Sequence, residues 1–389
     1  MARRAACVCL ALCVGLAAAQ HAEGEALQRV VQAATALQSY YSKVKLNNMW
    51  GTGWWHDANN VEALAQLMQR GGANHSTDYL DVLHSVHARQ GDIAIEGAGS
   101  TDDVGWWGLA WARAFELTAE PAYLAQAALC FKHMTKSWDD GACGGGLWWS
   151  WKRQYKNAIT NELFLALAAR LHALNARHAL NSAPLPAPAP TYLEWAQREW
   201  RWFESSGMLN AQGLVNDGLS HNNDSTCANN GGQEYSYNQG VILGGLAWLY
   251  EAQLRDTGQR NGTLLAVATR IADATLARKA WPDGVLMEQC DADSSCNDDG
   301  ASFKGIFARY LRFLADALQR AAPSDPSYAP TAAGYRARLA ADASSLWQRD
   351  RAEDPLVFGP GWQGPPAVSS KRSRSVPTRS ALDLLLTQL

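Results

Sequence analysis

The sequence predicts an all-α fold in which about six helical hairpins close into an inner and an outer ring. Three observations carry this expectation. Apolar residues recur at three- and four-residue spacing through most of the 389 residues, continuous β-rich runs are nearly absent, and no βαβ rhythm is present. Leu163, Leu165, Leu167, Leu171 and Leu174 illustrate the spacing. In chain order it predicts helices over 26–48, 59–70, 77–89, 103–119, 121–138, 158–179, 191–206, 236–257, 261–279, 301–320 and 330–348. Local signals support several starts. Pro121 suits a first helical position, Thr191 and Glu194 have the spacing of a capping box, and Asn261 or Thr263 opens the segment after them. The stretches 213–218 and 284–287 read as short strands or extended loops.

The ends of the chain read differently from its middle. Arg3 and Arg4, the apolar run 5–16 and Ala17-Ala18-Ala19 have the layout of a signal peptide over residues 1–19. The run is too short to span a membrane, so the expected location is secreted and extracellular. Residues 20–350 form the expected helical domain, with the Ala/Pro run 183–190 as a stiff connector inside it. Residues 351–389, rich in Pro, Gly, Ser and Arg, are expected to be a largely extended tail. The last nine residues are short and contain Asp383, so no membrane anchor is expected.

Cysteine usage fits export. Beyond the signal remain Cys130, Cys143, Cys227, Cys290 and Cys296. Cys290 and Cys296 can close a short loop, Cys143 is the candidate partner of Cys227, and Cys130 is the candidate free thiol. No Cys/His cluster has zinc spacing, and no metal or cofactor is expected. Without Arg3 and Arg4 the chain has 32 basic against 37 acidic residues and no basic stripe, which argues against nucleic acid as a partner. Seventeen tryptophans and the sequons at Asn74, Asn223 and Asn261 point instead to a glycosylated, sugar-handling protein. It is expected to act as a monomer.

Three Asp-Asp pairs compete for chemistry. Asp102-Asp103 opens a helix and is followed one turn later by Trp106-Trp107. Glycosidic cleavage needs a carboxylate and a carboxylic acid roughly 5 Å apart in retaining enzymes, and neighbouring side chains at a helix start can reach that. A carboxylate aimed at helix N–H groups stays ionised, whereas one against an indole has its pKa raised. The same pair is also ordinary helix capping. Asp139-Asp140 precedes the stretch Cys143-Gly144-Gly145-Gly146-Leu147-Trp148-Trp149. Asp298-Asp299 ends an acidic loop that lacks the glycine and glutamate of a calcium loop, counted from Asp291. Trp148, Trp149 and Trp151 form an indole wall, with Tyr155, Lys156 and Asn157 following as groups that suit hydroxyl recognition. Tyr237-Asn238 offers a similar mix.

Taken in order, these segments resemble glycoside hydrolase family 76, the endo-α-1,6-mannanases and their fungal cell-wall relatives. The resemblance rests on Trp54-Trp55, on Asp102-Asp103 with Trp106-Trp107, on Cys143 to Trp149 followed by Lys156-Asn157, and on Tyr235 to Gly240. Glu288 with Cys290, Cys296 with Asp298, and Phe303-Lys304-Gly305 continue it. It implies an (α/α)6 toroid and cleavage of α-1,6-linked mannan or manno-oligosaccharide with retention. Asp102 would then be the nucleophile and Asp103 the acid/base, or the reverse. Trp54, Trp55, Trp106, Trp107, Trp148, Trp149, Lys156, Asn157, Tyr237 and Asn238 would line the cleft. The alternatives on the same scaffold are a non-catalytic mannan-binding protein and a transglycosylase.

Overall fold

A computed structural model describes residues 21–71, 77–90, 99–179, 190–220, 227–353, 356–366 and 374–389. The signal-like segment, most of the Ala/Pro connector and the sequons at Asn74 and Asn223 lie outside the described residues. Twelve helices are described. They are α1 (21–38), α2 (Trp54–Gly71), α3 (Thr77–Gln90), α4 (Thr101–Thr118), α5 (Pro121–Thr135) and α6 (Ala158–Ala179). The second half adds α7 (Tyr192–Ser205), α8 (Ser236–Thr257), α9 (Gly262–Arg278), α10 (Asp298–Ala321), α11 (Tyr328–Arg349) and α12 (Ser375–Leu386).

The even-numbered helices form a closed inner ring, α2 on α4, α4 on α6, α6 on α8, α8 on α10, α10 on α12 and α12 back on α2. The odd-numbered helices lie outside it, and the whole is the (α/α)6 toroid the sequence implied. Burial separates the two rings. Inner helix α6 is buried continuously from Ala158 to Leu171, and α12 along its entire length. Outer helix α7 buries Tyr192, Trp195, Ala196, Glu199, Trp200 and Phe203 in a stripe at three- and four-residue spacing, with Trp202 beside it. Its predicted capping box is present: Thr191 Oγ1 accepts from Glu194 N, and Glu194 accepts from Thr191 N at 2.7 Å. Two glycines let inner helices approach closely. A Cβ on Gly240 would meet the Phe307 backbone of α10 at 2.7 Å, and one on Gly305 would meet Ser380 of α12 at 2.6 Å.

The tail corrects the sequence reading. After a two-stranded hairpin, Arg351–Glu353 with Leu356–Phe358, the chain returns as α12 and supplies the sixth inner helix. The helical fold therefore does not end at residue 350. Asp383 is no obstacle to burial, because Arg309 and Arg379 pair with it at 2.6 and 2.5 Å. Helix starts also differ from expectation. The first predicted helix stops at 38, where the chain turns back through a bridge between Ser42 and Met49. The helices α2 and α10 begin at Trp54 and Asp298, before their apolar periodicity does. The stretches 213–218 and 284–287 form isolated bridges, Leu209 with Val215 and Ala280 with Leu286. Both disulfides, Cys143–Cys227 and Cys290–Cys296, are formed, and Cys130 is free and buried. Among the described residues no helix is long and apolar enough to cross a membrane.

Candidate active site

A cavity of about 670 Å³ opens at the N-terminal ends of the inner helices. Helix α2 contributes Trp55, α4 contributes Asp102, Asp103 and Trp106, α8 contributes Tyr237, and α10 contributes Asp299 and Phe303. The partial positive ends of these helices all face the same space, a setting that favours negative charge there.

Asp102 and Asp103 occupy the first turn of α4. The helix is fixed by the loop before α6, since Thr101 N donates to Trp149 O at 2.6 Å. Trp149 also donates its indole N–H to Asp102 Oδ2 at 3.0 Å, and Asp103 N donates to Asp102 Oδ1 at 3.0 Å. Among the described residues no lysine or arginine forms an ion pair with either carboxylate. Burial raises both pKa values. Hydrogen bonds from Ser100, Asp103 N and Trp149 partly offset this in Asp102, whereas the Asp102 charge adds to it in Asp103. The pair titrates near about 6 and about 7, with the higher value belonging mainly to Asp103. One carboxylate and one carboxylic acid side by side at neutral pH is the state that acid-assisted displacement needs.

Asp299 and Asp217 add two more acids to the wall. Asp299 accepts from Trp55 Nε1 at 3.2 Å and from His56 Nε2 at 3.1 Å, and the His56 hydrogen bond holds its pKa below the usual carboxylate range. Burial lowers the pKa of His56, whose Nδ1 has no hydrogen-bond partner, so the neutral ring donates through Nε2. Asp217 accepts from the Tyr155 hydroxyl at 2.6 Å, and Asn230 donates to that hydroxyl at 3.0 Å. Burial raises Asp217 despite the Tyr155 bond. Aromatic faces lie between these groups: Trp55 stacks on Trp106 with centroids 5.6 Å apart, and Tyr237 on Phe303 at 4.0 Å.

Of the expected catalytic and cleft residues, Asp102, Asp103, Trp55, Trp106, Trp149, Asn157 and Tyr237 line this cavity, as does Asp299 of the competing pair Asp298-Asp299. Five expected cleft residues sit elsewhere. Trp107 is buried between Trp54 and Trp111, so it and Trp54 belong to the aromatic core. Lys156 turns inward and donates to three loop carbonyls, Asp139 O at 2.9 Å, Ala142 O at 2.6 Å and Gly145 O at 2.5 Å. Trp148 lies against that ammonium, 4.8 Å from its centroid, and donates to Asp139 Oδ2 at 3.0 Å. Asn238 is wholly buried within α8. The competing pair Asp139-Asp140 is held on the outer loop by Trp148, Trp138 and Arg198. Asp217 was missed, because an Asn-Asp-Gly turn carries no sequence signal beyond a turn.

The family model for "Glycosyl hydrolase family 76" matches residues 26–362. A mannan endo-1,6-alpha-mannosidase of Saccharomyces cerevisiae is 30% identical over 270 residues, which cover 66% of this chain and 52% of that protein. The chain thus spans about half the length of the curated relatives it matches. Two of the solved structures that share the fold illustrate the likeness. One is an inactive variant of the α-1,6-mannanase GH76A of Salegentibacter sp., in which two consecutive aspartates are replaced by asparagine, in complex with α-1,6-mannotriose. It superposes with a TM-score of 0.75 at 21% identity, covering 94% of this chain and 98% of that one. The other is Dfg5 of Chaetomium thermophilum in complex with glucosamine, with a TM-score of 0.71 at 20% identity, covering 94% and 90%.

Proposed function

The chain belongs to glycosyl hydrolase family 76, and from that premise we propose that it is a secreted, retaining, endo-acting hydrolase of α-1,6-linked mannan. The observation that carries this reading is the Asp102-Asp103 pair, two adjacent carboxyls without a cationic partner among the described residues, in an aromatic-walled cavity. The names of the curated relatives support the substrate. The neighbour that is inactive when two consecutive aspartates are replaced supports the role of the pair. Secretion is supported by the signal-like first 19 residues and the two disulfides.

Asp103, with the higher pKa, protonates the glycosidic oxygen as the bond to the anomeric carbon breaks. Asp102 is kept ionised by the Trp149 N–H and the α4 terminus, and its carboxylate captures the anomeric carbon as a glycosyl ester. Asp103, now a carboxylate, takes a proton from water, which attacks the ester and restores the starting state. Two inversions leave the configuration unchanged. The wall of Trp55, Trp106, Tyr237 and Phe303 offers faces for the apolar sides of the sugar rings, and Asp299 and Asp217 offer acceptors for hydroxyls.

The test is the anomeric proton spectrum during digestion of linear α-1,6-mannan. The reading expects shorter α-1,6-linked oligosaccharides whose new reducing ends appear first as the α-anomer. Products appearing first as the β-anomer would exclude the covalent route, and absence of products would exclude the activity.

A further inference from the structure

We propose that Trp151 forms a sugar-stacking subsite outside the cavity, holding the α-1,6-mannan chain where it leaves the cleft; this rests on the hydrolase reading above. Of the seventeen tryptophans, fifteen are buried or half-buried. The two exposed ones are Trp149 at 42% and Trp151 at 75%, and both lie on one turn. The other large exposed apolar side chains among the described residues are the aliphatic Val44, Leu46 and Leu129. Exposing an indole forfeits its burial free energy, so a tryptophan held in water on a rigid turn is a feature to be explained by what stacks on it.

The turn is rigid and tied to the reacting groups. Trp149 N donates to Tyr155 O at 2.7 Å, Arg153 N to Ser150 O at 3.0 Å, and the positive φ of Arg153, 51°, closes the loop tightly. Its base residues, Trp149 and Tyr155, line the cavity, and Trp149 is bonded to both Thr101 and Asp102. Trp151 lies two residues beyond Trp149, about 7 Å along the chain at most. A glycan leaving the cavity past Trp149 therefore meets the second indole at its next sugar. Lys152 sits with its ammonium 5.9 Å from the Trp151 centroid and supplies N–H donors beside the ring for sugar hydroxyls. An α-1,6 linkage adds an exocyclic rotatable bond at every sugar, so a chain of this type gains from being gripped at a second point.

The experiment measures kcat/KM for wild type, Trp151→Ala and Trp151→Phe on linear α-1,6-mannan and on α-1,6-mannotetraose. Loss of one stacked ring is expected to lower kcat/KM on the polymer about five-fold, through KM, and on the tetraose less than two-fold. Trp151→Phe should recover most of the difference. Equal values for wild type and Trp151→Ala on the polymer, or equal losses on both substrates, would overturn the subsite. Affinity electrophoresis in gels containing mannan gives a readout independent of turnover. The Asp102→Asn protein should be retarded, and Asp102→Asn with Trp151→Ala retarded less. Equal retardation would remove the subsite even if the wild type proved inert on both substrates, an outcome that by itself would sink the hydrolase reading instead.

Discussion

The inner ring carries two clusters of acids about 15 Å apart along its helices, and they behave in opposite ways. At the N-terminal ends, Asp102 and Asp103 face an open cavity and are raised by burial. Eight and more residues into their helices, Glu62, Glu116 and Asp383 meet Arg113, Arg170, Arg309 and Arg379 in the buried centre. Burial would raise Glu116 too, but Arg170 and Arg113 overcome it and hold it near about 2. Arg309 bridges three helices, reaching Glu62 of α2 at 2.8 Å and Asp383 of α12 at 2.6 Å from its place on α10. The lesson is that residue type does not set the role of a buried carboxyl. Its counter-charge does. The paired cluster holds the ring closed, and the unpaired cluster stays reactive at the cost of stability.

The largest effect expected from this contrast is structural. Arg309→Met leaves Glu62 and Asp383 buried without their shared cation, and should cost about 3–5 kcal/mol in denaturant unfolding. A variant as stable as the wild type would show that the network is decorative. Acid comes next. Glu116 has a folded pKa below its unfolded value, so its contribution is present above the ordinary glutamate range and disappears as pH falls toward about 2. Circular dichroism should therefore show loss of helix below about pH 4, and an unchanged melting temperature down to pH 2 would contradict the pairing. The smallest effect concerns tuning. The Asp299 charge helps keep Asp103 protonated, so Asp299→Asn should lower the Asp103 pKa. The alkaline limb of the activity profile, near pH 7 in the wild type, should move to lower pH, and an unmoved limb would separate Asp299 from the acid.

Much of this was legible in the sequence, though unevenly. Helical periodicity in apolar residues gave the ring, because outer helices such as α7 have one buried stripe and inner ones such as α6 are buried almost throughout. The same signal placed helix starts late. The first turns of α2, α4 and α10 carry Trp55, Asp102 and Asp299, which face the cavity and break the apolar pattern. Helix α12 was hidden because its burial depends on partners elsewhere in the chain. Arg379 and Asp383 look like surface residues until Arg309 of α10 is seen donating to Asp383 from the neighbouring helix. The aromatic and amide residues of the motifs could not be divided by sequence into cavity wall and core. Trp106 and Trp107 are neighbours of one type, yet a helical step of about 100° turns the first to the cavity and the second to the core.

The most direct test of the central claim pairs activity with stability in Asp102→Asn and Asp103→Asn. A raised folded pKa means that stability is lost as pH climbs from the unfolded value of the carboxyl toward the folded one, so neutralising Asp103 should remove a penalty that is complete above about pH 7. Both variants are expected to lose at least about 10³-fold in mannan cleavage, and Asp103→Asn should melt higher than wild type at pH 8, with the difference gone by about pH 4. Full activity in either well-folded variant, or a lower melting temperature for Asp103→Asn at pH 8, would contradict the account.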